Sequence, residues 1–319
     1  MNIAVRIKAH GNPKMLEVIE MAVREPQAEE IRIRHTAIGV NFIDTYHRTG
    51  RYILPDPAIP GVEGVGVVEA VGANVAGIAV GDRIVYAGIA GGYASTRVLP
   101  AWRAIPLPPA ISDATAAASM LRALTAYMLL NLSYRVEAGT TLLVHAAAGG
   151  LGIVLTRWAK QIGATVIGTA STEEKARLAK RNGVDHVIIG RDSDIVGAVS
   201  DFTDGRGVDY VIDGVGGAVL RKSLRSVRPF GSVASIGWVA GRVPPFDIEE
   251  LGAASLAKPS VMAYSADQAR YAEGARATVR AMEAGIVSEI GGMVRLRDAA
   301  DAHRALESGS VTGSLVMTP

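Results

Sequence analysis

The stretch TLLVHAAAGGLGIVLTRWAKQIGA, residues 141–164, constrains the fold of this chain more than any other segment. The apolar run TLLV predicts a buried strand, and the periodicity from Ile153 to Ile162 predicts a helix. Almost nothing but alanine and glycine lies between them. A strand that turns into a helix through such small residues is typical of a strand–helix–strand unit, so the chain is expected to contain a parallel sheet.

The same alternation continues from about residue 123 to residue 260, which predicts a doubly wound parallel sheet covered on both faces. The segment STEEKARLAKRNG is expected to form a helix that Ser171 caps, with Glu174 as the partner three residues on, and that Gly183 ends. The further strands are expected in the segments TVIGTA, DHVII, DYVIDGV and GSVASIG.

The segments before and after this region have a different sequence pattern. Up to about residue 122, short strand-like runs such as IRIRHTAIGV, GVGVVEAVG, DRIVYAG and YASTRVL are broken by Gly and Pro, which predicts a compact, mostly β, barrel-like module. After residue 260 the pattern predicts helices at Asp267–Ala284 and Asp298–Glu307, a short strand near Met293 and a final strand, GSLVM. That final strand is expected to rejoin the first module, so residues 1–122 and 261–319 form one domain and residues 123–260 the other.

Composition excludes several classes of protein. The chain has 319 residues, long enough for about two domains, and its net charge of +2 is too small for a nucleic-acid or anionic-membrane surface. It contains no cysteine, which excludes disulfides, iron–sulfur clusters and cysteine zinc sites. Its longest apolar stretch, TAAASMLRALTAYMLLNL, is interrupted by Arg122 and is too short for a membrane span. We therefore expect a soluble, cytoplasmic protein that binds neither membrane nor nucleic acid.

The small residues between the strand and the helix follow the spacing of the dinucleotide fingerprint, with an alanine in place of the first glycine. Small side chains permit the tight turn and let a pyrophosphate approach bare amides at the positive end of the helix. Many such turns carry glycine for steric reasons alone, but the position after a strand and at the head of a helix is the context that binding requires. The predicted contacts here are Ala147, Gly149, Gly150, Leu151 and Gly152.

The residues after the second strand bear on which dinucleotide binds. Sites that prefer NAD place an acidic residue there to hold the ribose 2′-hydroxyl, whereas this chain reads GTAST, residues 168–172. Hydroxyls and cations suit a 2′-phosphate, so the pattern favours NADPH. The alternative is that Ser171 only caps a helix and Lys175 lies on a solvated face. The predicted contacts are Thr169, Ser171, Thr172, Lys175 and Arg191.

Several segments together resemble a known family. AIGVNFIDTYHRTGRY, GDRIVYAG, AAASMLRALTAYMLL, HAAAGGLG, DGVG and HRALESGSVTGSLVM are similar to the zeta-crystallin-related quinone oxidoreductase branch of the medium-chain dehydrogenase/reductase superfamily. The resemblance runs from end to end. It implies a GroES-like catalytic domain discontinuous in sequence, a Rossmann domain, an active site in the cleft between them, and a homodimer.

Zinc alcohol dehydrogenases belong to the same superfamily, so their metal site is the natural alternative. They carry an early cysteine ligand and a Gly-His-Glu whose histidine binds zinc. The equivalent stretch here is PGVEG, with Val62 in place of the histidine, and the six histidines are scattered. We expect no metal site. His145 is interpreted as part of the fingerprint turn rather than as a base, and His47 as either a cleft residue or a surface residue.

The resemblance also implies contacts with the cofactor outside the fingerprint. The nicotinamide is approached by Asn41, Phe42 and Thr125, and the dinucleotide is flanked by Gly214, Val215, Ile236 and Gly237, with Lys258 at a position that is often basic. Relatives often hold the 2′-phosphate with a tyrosine before an arginine and with an arginine near the C-terminus. This chain has Gly190 before Arg191, and Gly309 at the latter position, which leaves NADH as a possible second cofactor.

Without zinc, flavin or thiol, the expected chemistry is direct hydride transfer from the nicotinamide to a conjugated acceptor. Tyr46 and Tyr52 are the predicted hydroxyl donors, with Asn41 orienting groups near the ring; the alternative is that both tyrosines only line the pocket. Three functions stay open at this point: a quinone reductase, a reductase of α,β-unsaturated ketones or alkenals, and a low-turnover NADPH-binding protein of the crystallin or RNA-binding kind.

Overall fold

The computed structural model describes residues 2–319 and divides the chain into two compact units. The first comprises residues 2–124 and 262–319, and we call it the split unit. The second comprises residues 125–261, and we call it the continuous unit. The split unit has a seven-stranded sheet and a separate two-stranded one, and the continuous unit has one six-stranded sheet. Apolar side chains are buried within each unit, and each unit is described by itself.

Residues 2–106 of the split unit contain seven strands and one short α-helix. These are β1 (Ile3–Ile7), β2 (Leu16–Glu20), β3 (Glu30–Val40), α1 (Phe42–Arg48), β4 (Glu63–Val71), β5 (Arg83–Ala87), β6 (Thr96–Pro100) and β7 (Ile105–Pro106). The strand-like runs IRIRHTAIGV, GVGVVEAVG, DRIVYAG and YASTRVL are confirmed as β3 to β6. Helix α1, which directly follows the longest strand, was not predicted as a helix.

Helix α2 (Asp113–Met128) leads into the continuous unit, and a π-helical turn, Leu129–Ser133, follows it. The continuous unit then alternates strands and helices, as the sequence predicts. Its elements are β8 (Thr141–Val144), α3 (Gly150–Ile162), β9 (Thr165–Ala170), α4 (Glu173–Arg181), β10 (His186–Ile189), α5 (Ile195–Phe202), β11 (Val208–Asp213), α6 (Val219–Ser226), β12 (Val227–Ser235) and β13 (Ser255–Ala257).

The six strands of the continuous unit form one parallel sheet in the order β10-β9-β8-β11-β12-β13. The chain runs outward from β8 on one side and then returns to start β11 on the other side of it. Ligands in such sheets bind outside the carboxyl ends of the strands where the order reverses. In this unit that place lies between the loops that follow β8 and β11.

Two local predictions in this sheet need correction. Helix α3 begins at Gly150 rather than at Ile153, because the glycines themselves adopt helical geometry after Gly149. Helix α4 is capped by Thr172 rather than Ser171, since the Thr172 hydroxyl accepts the amide of Lys175 at 3.3 Å. The end of α4 is as predicted: Gly183 has a φ of +103° directly after the last cap residue.

The carboxyl-terminal segment completes the split unit. Its elements are α7 (Val261–Ala266), α8 (Gln268–Glu283), β14 (Ile290–Arg295), α9 (Ala299–Ser308) and β15 (Ser314–Thr318). Strand β15 pairs antiparallel with β3, so the prediction that the last strand rejoins the first module is confirmed. The resulting sheet has seven strands in the order β14-β15-β3-β4-β5-β7, with β6 paired to β3. This pairing holds α1, which leaves the end of β3, against residues 262–319, which we call the return segment.

Candidate functional site

The loop after β8 ends in bare backbone. Gly149 has extended geometry and precedes the first helical residue, Gly150. The first amide of α3 with a backbone acceptor among residues 2–319 is that of Ile153, which binds the Gly149 carbonyl at 2.9 Å. The amides of Gly150, Leu151 and Gly152 are therefore left for other acceptors at the positive end of the helix. Such an end accommodates an anion.

Close packing explains one of these glycines. A Cβ on Gly152 would lie 2.5 Å from the Ala146 carbonyl oxygen and 2.6 Å from the Ala147 Cα. Behind the turn, a Cβ on Gly168 of β9 would lie 2.7 Å from the Ala147 Cβ. Ala146 has a φ of +53°, a strained value for a residue other than glycine. The small residues are thus required for the turn itself. The turn then leaves the first amides of α3 exposed.

The residues predicted to hold the adenosine end meet at the carboxyl ends of β9 and β10. The Gly190 amide binds the Ala170 carbonyl at 2.9 Å, which brings Arg191 next to the Ser171–Thr172 turn. Lys175 lies in the first turn of α4, behind Thr172. The first carboxylates after β9 are those of Glu173 and Glu174, which also begin α4. No carboxylate occupies the GTAST turn itself.

The loops after β11 and β12 touch each other on the other side of the reversal point. A Cβ on Gly237 would lie 2.5 Å from the Gly214 carbonyl oxygen, so that approach requires glycine. A Cβ on Gly214 would meet no protein atom closer than 3.8 Å. Lys258 lies just beyond β13, with its ammonium 5.6 Å from the centre of the Trp238 ring. Val215 and Ile236 are half-buried in the same two loops.

The predicted residues of the continuous unit therefore form one row along the carboxyl edge of its sheet. Arg191 follows β10, Thr169 to Lys175 surround the end of β9, and the fingerprint loop follows β8. The remaining five follow the last three strands: Gly214 and Val215 follow β11, Ile236 and Gly237 follow β12, and Lys258 follows β13. Thr125 lies on α2, three residues after Arg122.

In the split unit, Asn41 precedes α1 and is buried. Its backbone amide donates to the Asp44 carboxylate at 2.8 Å, and its side-chain amide donates to Glu63 at 2.7 Å. Because the side-chain nitrogen of Asn41 is held by Glu63, its rotamer is set before any ligand arrives. The next residue, Phe42, is half-buried at the start of the helix.

Glu63 and Arg122 form a buried ion pair that was not predicted from the sequence. Arg122 donates to Glu63 at 3.1 Å and to the Val40 carbonyl at 2.7 Å, and the amide of Leu121 donates to the other Glu63 oxygen at 2.7 Å. Burial raises the pKa of Glu63, which Arg122 and the amide donors counteract. A Cβ on Gly39 would lie 2.2 Å from the Glu63 carboxylate, so glycine makes room for it.

The two predicted hydroxyl donors differ in exposure. Tyr46, on α1, is 8% exposed, and Tyr52, in the loop that follows, is 42% exposed. Their rings meet edge to face at 6.0 Å, and the Arg51 guanidinium lies over the Tyr46 ring. His47 is buried against Tyr52, and burial lowers its pKa to about 4, so it is a neutral packing residue rather than a surface one.

A second buried chain of hydrogen bonds holds α1 to the return segment. The Tyr93 hydroxyl donates to Asp44 at 3.1 Å and lies 3.0 Å from His303 Nε2 on α9. Arg48, at the end of α1, lies 3.4 Å from His303 Nδ1 and pairs with Glu307. Burial raises the pKa of Asp44 to about 7 and lowers that of His303 to about 3. The helix with Asn41 and Tyr46 is thus anchored at both of its ends.

Val62 stands where the zinc alcohol dehydrogenases carry their zinc-binding histidine. Val62 is fully buried in the core beside Glu63. Within residues 2–319, no three His, Cys, Asp or Glu side chains converge in a way that would hold a metal ion. None of the helices in that range is long and apolar enough to span a membrane.

Comparison with known proteins agrees with this architecture. Residues 27–109 match the alcohol dehydrogenase GroES-like domain, and residues 150–279 match the zinc-binding dehydrogenase family. The chain is 38% identical to a quinone oxidoreductase of Pseudomonas aeruginosa, over 99% of both proteins. It is 37% identical to a 2-haloacrylate reductase of a Burkholderia species, over 100% of this chain and 99% of that protein.

Among solved structures, the quinone oxidoreductase of Escherichia coli complexed with NADPH matches with a TM-score of 0.95 and 35% identity, over 99% of this chain and 100% of that one. The predicted fold class, a Rossmann sheet with a GroES-like domain, is confirmed. The roles of the individual site residues stay predictions. On these matches, the chain belongs to the quinone oxidoreductase family of the medium-chain dehydrogenase/reductase superfamily.

Proposed function

We propose that this protein is an NADPH-dependent quinone oxidoreductase that works without a metal ion or a flavin. The observation that carries the proposal is the set of free amides at the head of α3, placed where the strand order of a parallel sheet reverses. The relatives support it, since quinone oxidoreductases match over the whole chain and one of them was solved with NADPH.

The residues present fit this cofactor. The amides of Gly150, Leu151 and Gly152 suit a pyrophosphate. The hydroxyls of Ser171 and Thr172, with the cations of Lys175 and Arg191, suit a 2′-phosphate. Gly214 has no side chain, and the space where a Cβ would lie is left open by the protein. With no tyrosine at position 190 and no arginine at position 309, the phosphate site has fewer donors than in relatives, and NADH is proposed as a weaker second cofactor.

Bound NADPH supplies a hydride from its nicotinamide ring, and the protein supplies position and charge stabilisation. Tyr52 is the better candidate for donating to the acceptor's oxygen, because its side chain is accessible whereas Tyr46 is buried beneath it. Asn41 is held in one orientation by Glu63. A quinone suits this arrangement, since conjugation spreads the negative charge without a Lewis acid, and the ligands for zinc are missing from the sequence.

A second candidate function is the reduction of α,β-unsaturated carbonyl compounds. It is favoured by the relative described as a 2-haloacrylate reductase, which matches as well as the quinone oxidoreductases do. Both substrate classes need the same donors at a developing oxyanion. Comparison of kcat/KM for 1,2-naphthoquinone, 1,4-benzoquinone and an aliphatic alkenal separates the two, and a chain that oxidises NADPH with none of them contradicts both.

The cofactor assignment is tested by Lys175→Ala. Loss of the cation at the 2′-phosphate is expected to raise KM for NADPH about 10-fold or more and to leave KM for NADH nearly unchanged, since only NADPH has that phosphate. Lys180→Ala, which removes a cation from the last turn of the same helix, is the matched control. Equal effects on both cofactors would remove Lys175 from this role.

We further propose a cytoplasmic homodimer, as in the family. Light scattering after size-exclusion chromatography distinguishes a dimer of about twice the 33.3 kDa chain mass from a monomer.

A further inference from the structure

One buried imidazole joins the two loops at the reversal point of the sheet. His145, the first residue after β8, is 6% exposed. Its Nε2 lies 2.9 Å from the Ser223 hydroxyl on α6, and its Nδ1 lies 3.3 Å from the Thr169 hydroxyl on β9. From the sequence, His145 is predicted only as part of the turn, and Ser223 is not predicted to belong to the site.

The partners at each end determine where the protons lie. The Asp213 carboxylate can only accept, so the Ser223 hydroxyl donates to it at 3.0 Å. Ser223 then accepts from His145, which places the imidazole proton on Nε2. Nδ1 is left as an acceptor for the Thr169 hydroxyl, whose oxygen accepts the Ala146 amide at 3.1 Å. The Ser223 hydroxyl also lies 3.2 Å from the Val219 carbonyl. A carbonyl likewise only accepts, so this second contact leaves the same proton on Nε2 of His145.

The same chain of bonds continues into the second loop. The other oxygen of Asp213 accepts the amides of Val215 at 2.8 Å and Gly216 at 2.9 Å. The series therefore runs from the Ala146 amide in the fingerprint loop, through His145, to the amides of the loop after β11. These are the two loops between which a dinucleotide lies in a sheet of this order.

We propose that His145 is a positioning residue that sets the separation of these two loops, and through it the affinity for the pyrophosphate of a dinucleotide. It acts as a neutral, Nε2-protonated spacer and takes no part in proton transfer. This inference rests on the proposed function, since that function supplies the ligand.

The electrostatic surroundings agree with a neutral imidazole. Burial lowers the pKa of His145, and Lys222 on α6 lowers it further, while the carboxylate of Asp213 opposes both. The Lys222 ammonium is itself held by the Ser193 carbonyl at 3.1 Å.

The proposal is tested by direct binding of NADPH, NADH and 2′-AMP to His145→Phe, measured by calorimetry. Phenylalanine keeps an aromatic ring at position 145 but makes neither hydrogen bond. The Kd of both dinucleotides is therefore expected to rise on the order of 10-fold. The Kd of 2′-AMP, which has no pyrophosphate, is expected to stay the same. Thr156→Val is the matched control, since it removes a buried hydroxyl from α3 of the same unit, outside this chain of bonds.

Two further variants and an NMR measurement keep the test decisive if His145→Phe folds poorly. His145→Gln keeps a donor for Ser223, and His145→Asn keeps an acceptor for Thr169, so each is expected to restore part of the dinucleotide affinity. Nitrogen NMR of the wild-type imidazole is expected to show the neutral Nε2–H tautomer at pH 7, and burial is expected to move its titration below that of an exposed histidine.

The outcomes separate this inference from the proposed function. Wild-type protein that binds neither dinucleotide contradicts the proposed function and the affinity part of this inference with it, while the NMR spectrum still tests the tautomer. Tight binding by wild type with an unchanged Kd in His145→Phe overturns the positioning role alone. An imidazole that titrates near neutral pH, or that carries its proton on Nδ1, overturns the proton assignment.

Discussion

The split unit holds its candidate residues with buried ionisable side chains, whereas the continuous unit holds its own with backbone and small residues. Around α1, the charged or titratable groups of Asp44, Arg48, Glu63, Arg122 and His303 are all buried and bonded to one another or to the backbone. Along the edge of the parallel sheet, the working groups are amides, exposed where glycine lets the chain turn. The first arrangement is sensitive to charge and pH, and the second to added volume.

The largest expected effect is that of Glu63→Gln in the split unit. The substitution keeps the shape of the side chain, but it leaves Arg122 buried without its counter-charge and turns an acceptor for the Leu121 amide into a donor. Loss of one partner of a buried pair costs about 3–5 kcal/mol, so urea unfolding should show a decrease of that size in the free energy of unfolding.

The matched control is Glu17→Gln, which breaks an exposed pair with Arg6 whose side chains are 43% and 40% accessible. Exposed pairs contribute about 0–1 kcal/mol. If the two substitutions lower the free energy of unfolding equally, the buried pair does not stabilise the region around α1.

The next effect is expected in the continuous unit, from Gly152→Ala. The added methyl group would contact backbone atoms of Ala146 and Ala147 that cannot move independently of β8, so the free energy of unfolding should fall by about 1–3 kcal/mol. Gly214→Ala is the matched control: its methyl group meets no protein atom within 3.8 Å, and stability should change by less than about 0.5 kcal/mol.

The same pair of variants also separates the two reasons for glycine. If Gly214 makes room for the cofactor, Gly214→Ala should weaken NADPH binding although it leaves the fold intact. Unaltered NADPH affinity in Gly214→Ala would instead assign that glycine to the loop alone.

These contrasts explain which features were predictable from sequence. The fingerprint loop, its strand and its helix are local in the chain, so their pattern is visible without a structure. The pairing of Glu63 with Arg122 joins residues 59 positions apart, and no local pattern reports it. A signal did exist: Arg122 interrupts an apolar helix, and a buried arginine requires a partner. In the sequence, Arg122 is interpreted only as evidence against a membrane span.

A smaller effect concerns the pH dependence of the split unit. Burial lowers the pKa of His35 from an ordinary 6.5 to about 3, and that of His303 likewise. Between these values the unfolded chain binds one more proton per histidine than the folded one. Stability is therefore expected to fall, as pH falls from 6.5 towards 3, by about 1.4 kcal/mol per pH unit for each histidine. Asp44 acts in the opposite direction, because its pKa is raised to about 7 and the folded chain therefore binds a proton there that the unfolded chain has lost. It offsets the contribution of one histidine.

The slope, rather than the absolute stability, tests this expectation. His35→Phe should reduce the slope between pH 6 and pH 4 by about 1.4 kcal/mol per pH unit, whatever its effect at pH 7. Thr278→Val, a buried change in the same unit that removes no titrating group, should leave the slope as it is. An unchanged slope in His35→Phe would show that His35 protonates in the folded state at ordinary pH.

The smallest effect is expected at Phe230. In the fingerprint loop of the continuous unit the strained backbone position carries a small residue, Ala146, whereas here it carries a large one. Phe230 has a φ of +61° and is 84% exposed, so it bears the strain of a left-handed conformation with little packing in return. Asparagine tolerates this backbone conformation, and the hydrogen bond from the amide of residue 230 to the Ala253 carbonyl is kept. Phe230→Asn should therefore stabilise the protein by about 0.5–1 kcal/mol in thermal unfolding.

A loss of stability in Phe230→Asn would mean that the aromatic ring is covered in solution. The proposed homodimer gives a direct way to distinguish the two cases, since cover by a second copy makes the melting temperature depend on protein concentration. A gain that is the same at low and high concentration would place Phe230 outside any interface between copies. It would also show that strain at this turn is not retained for assembly, whereas the strain at Ala146 belongs to the loop whose amides the proposed function uses.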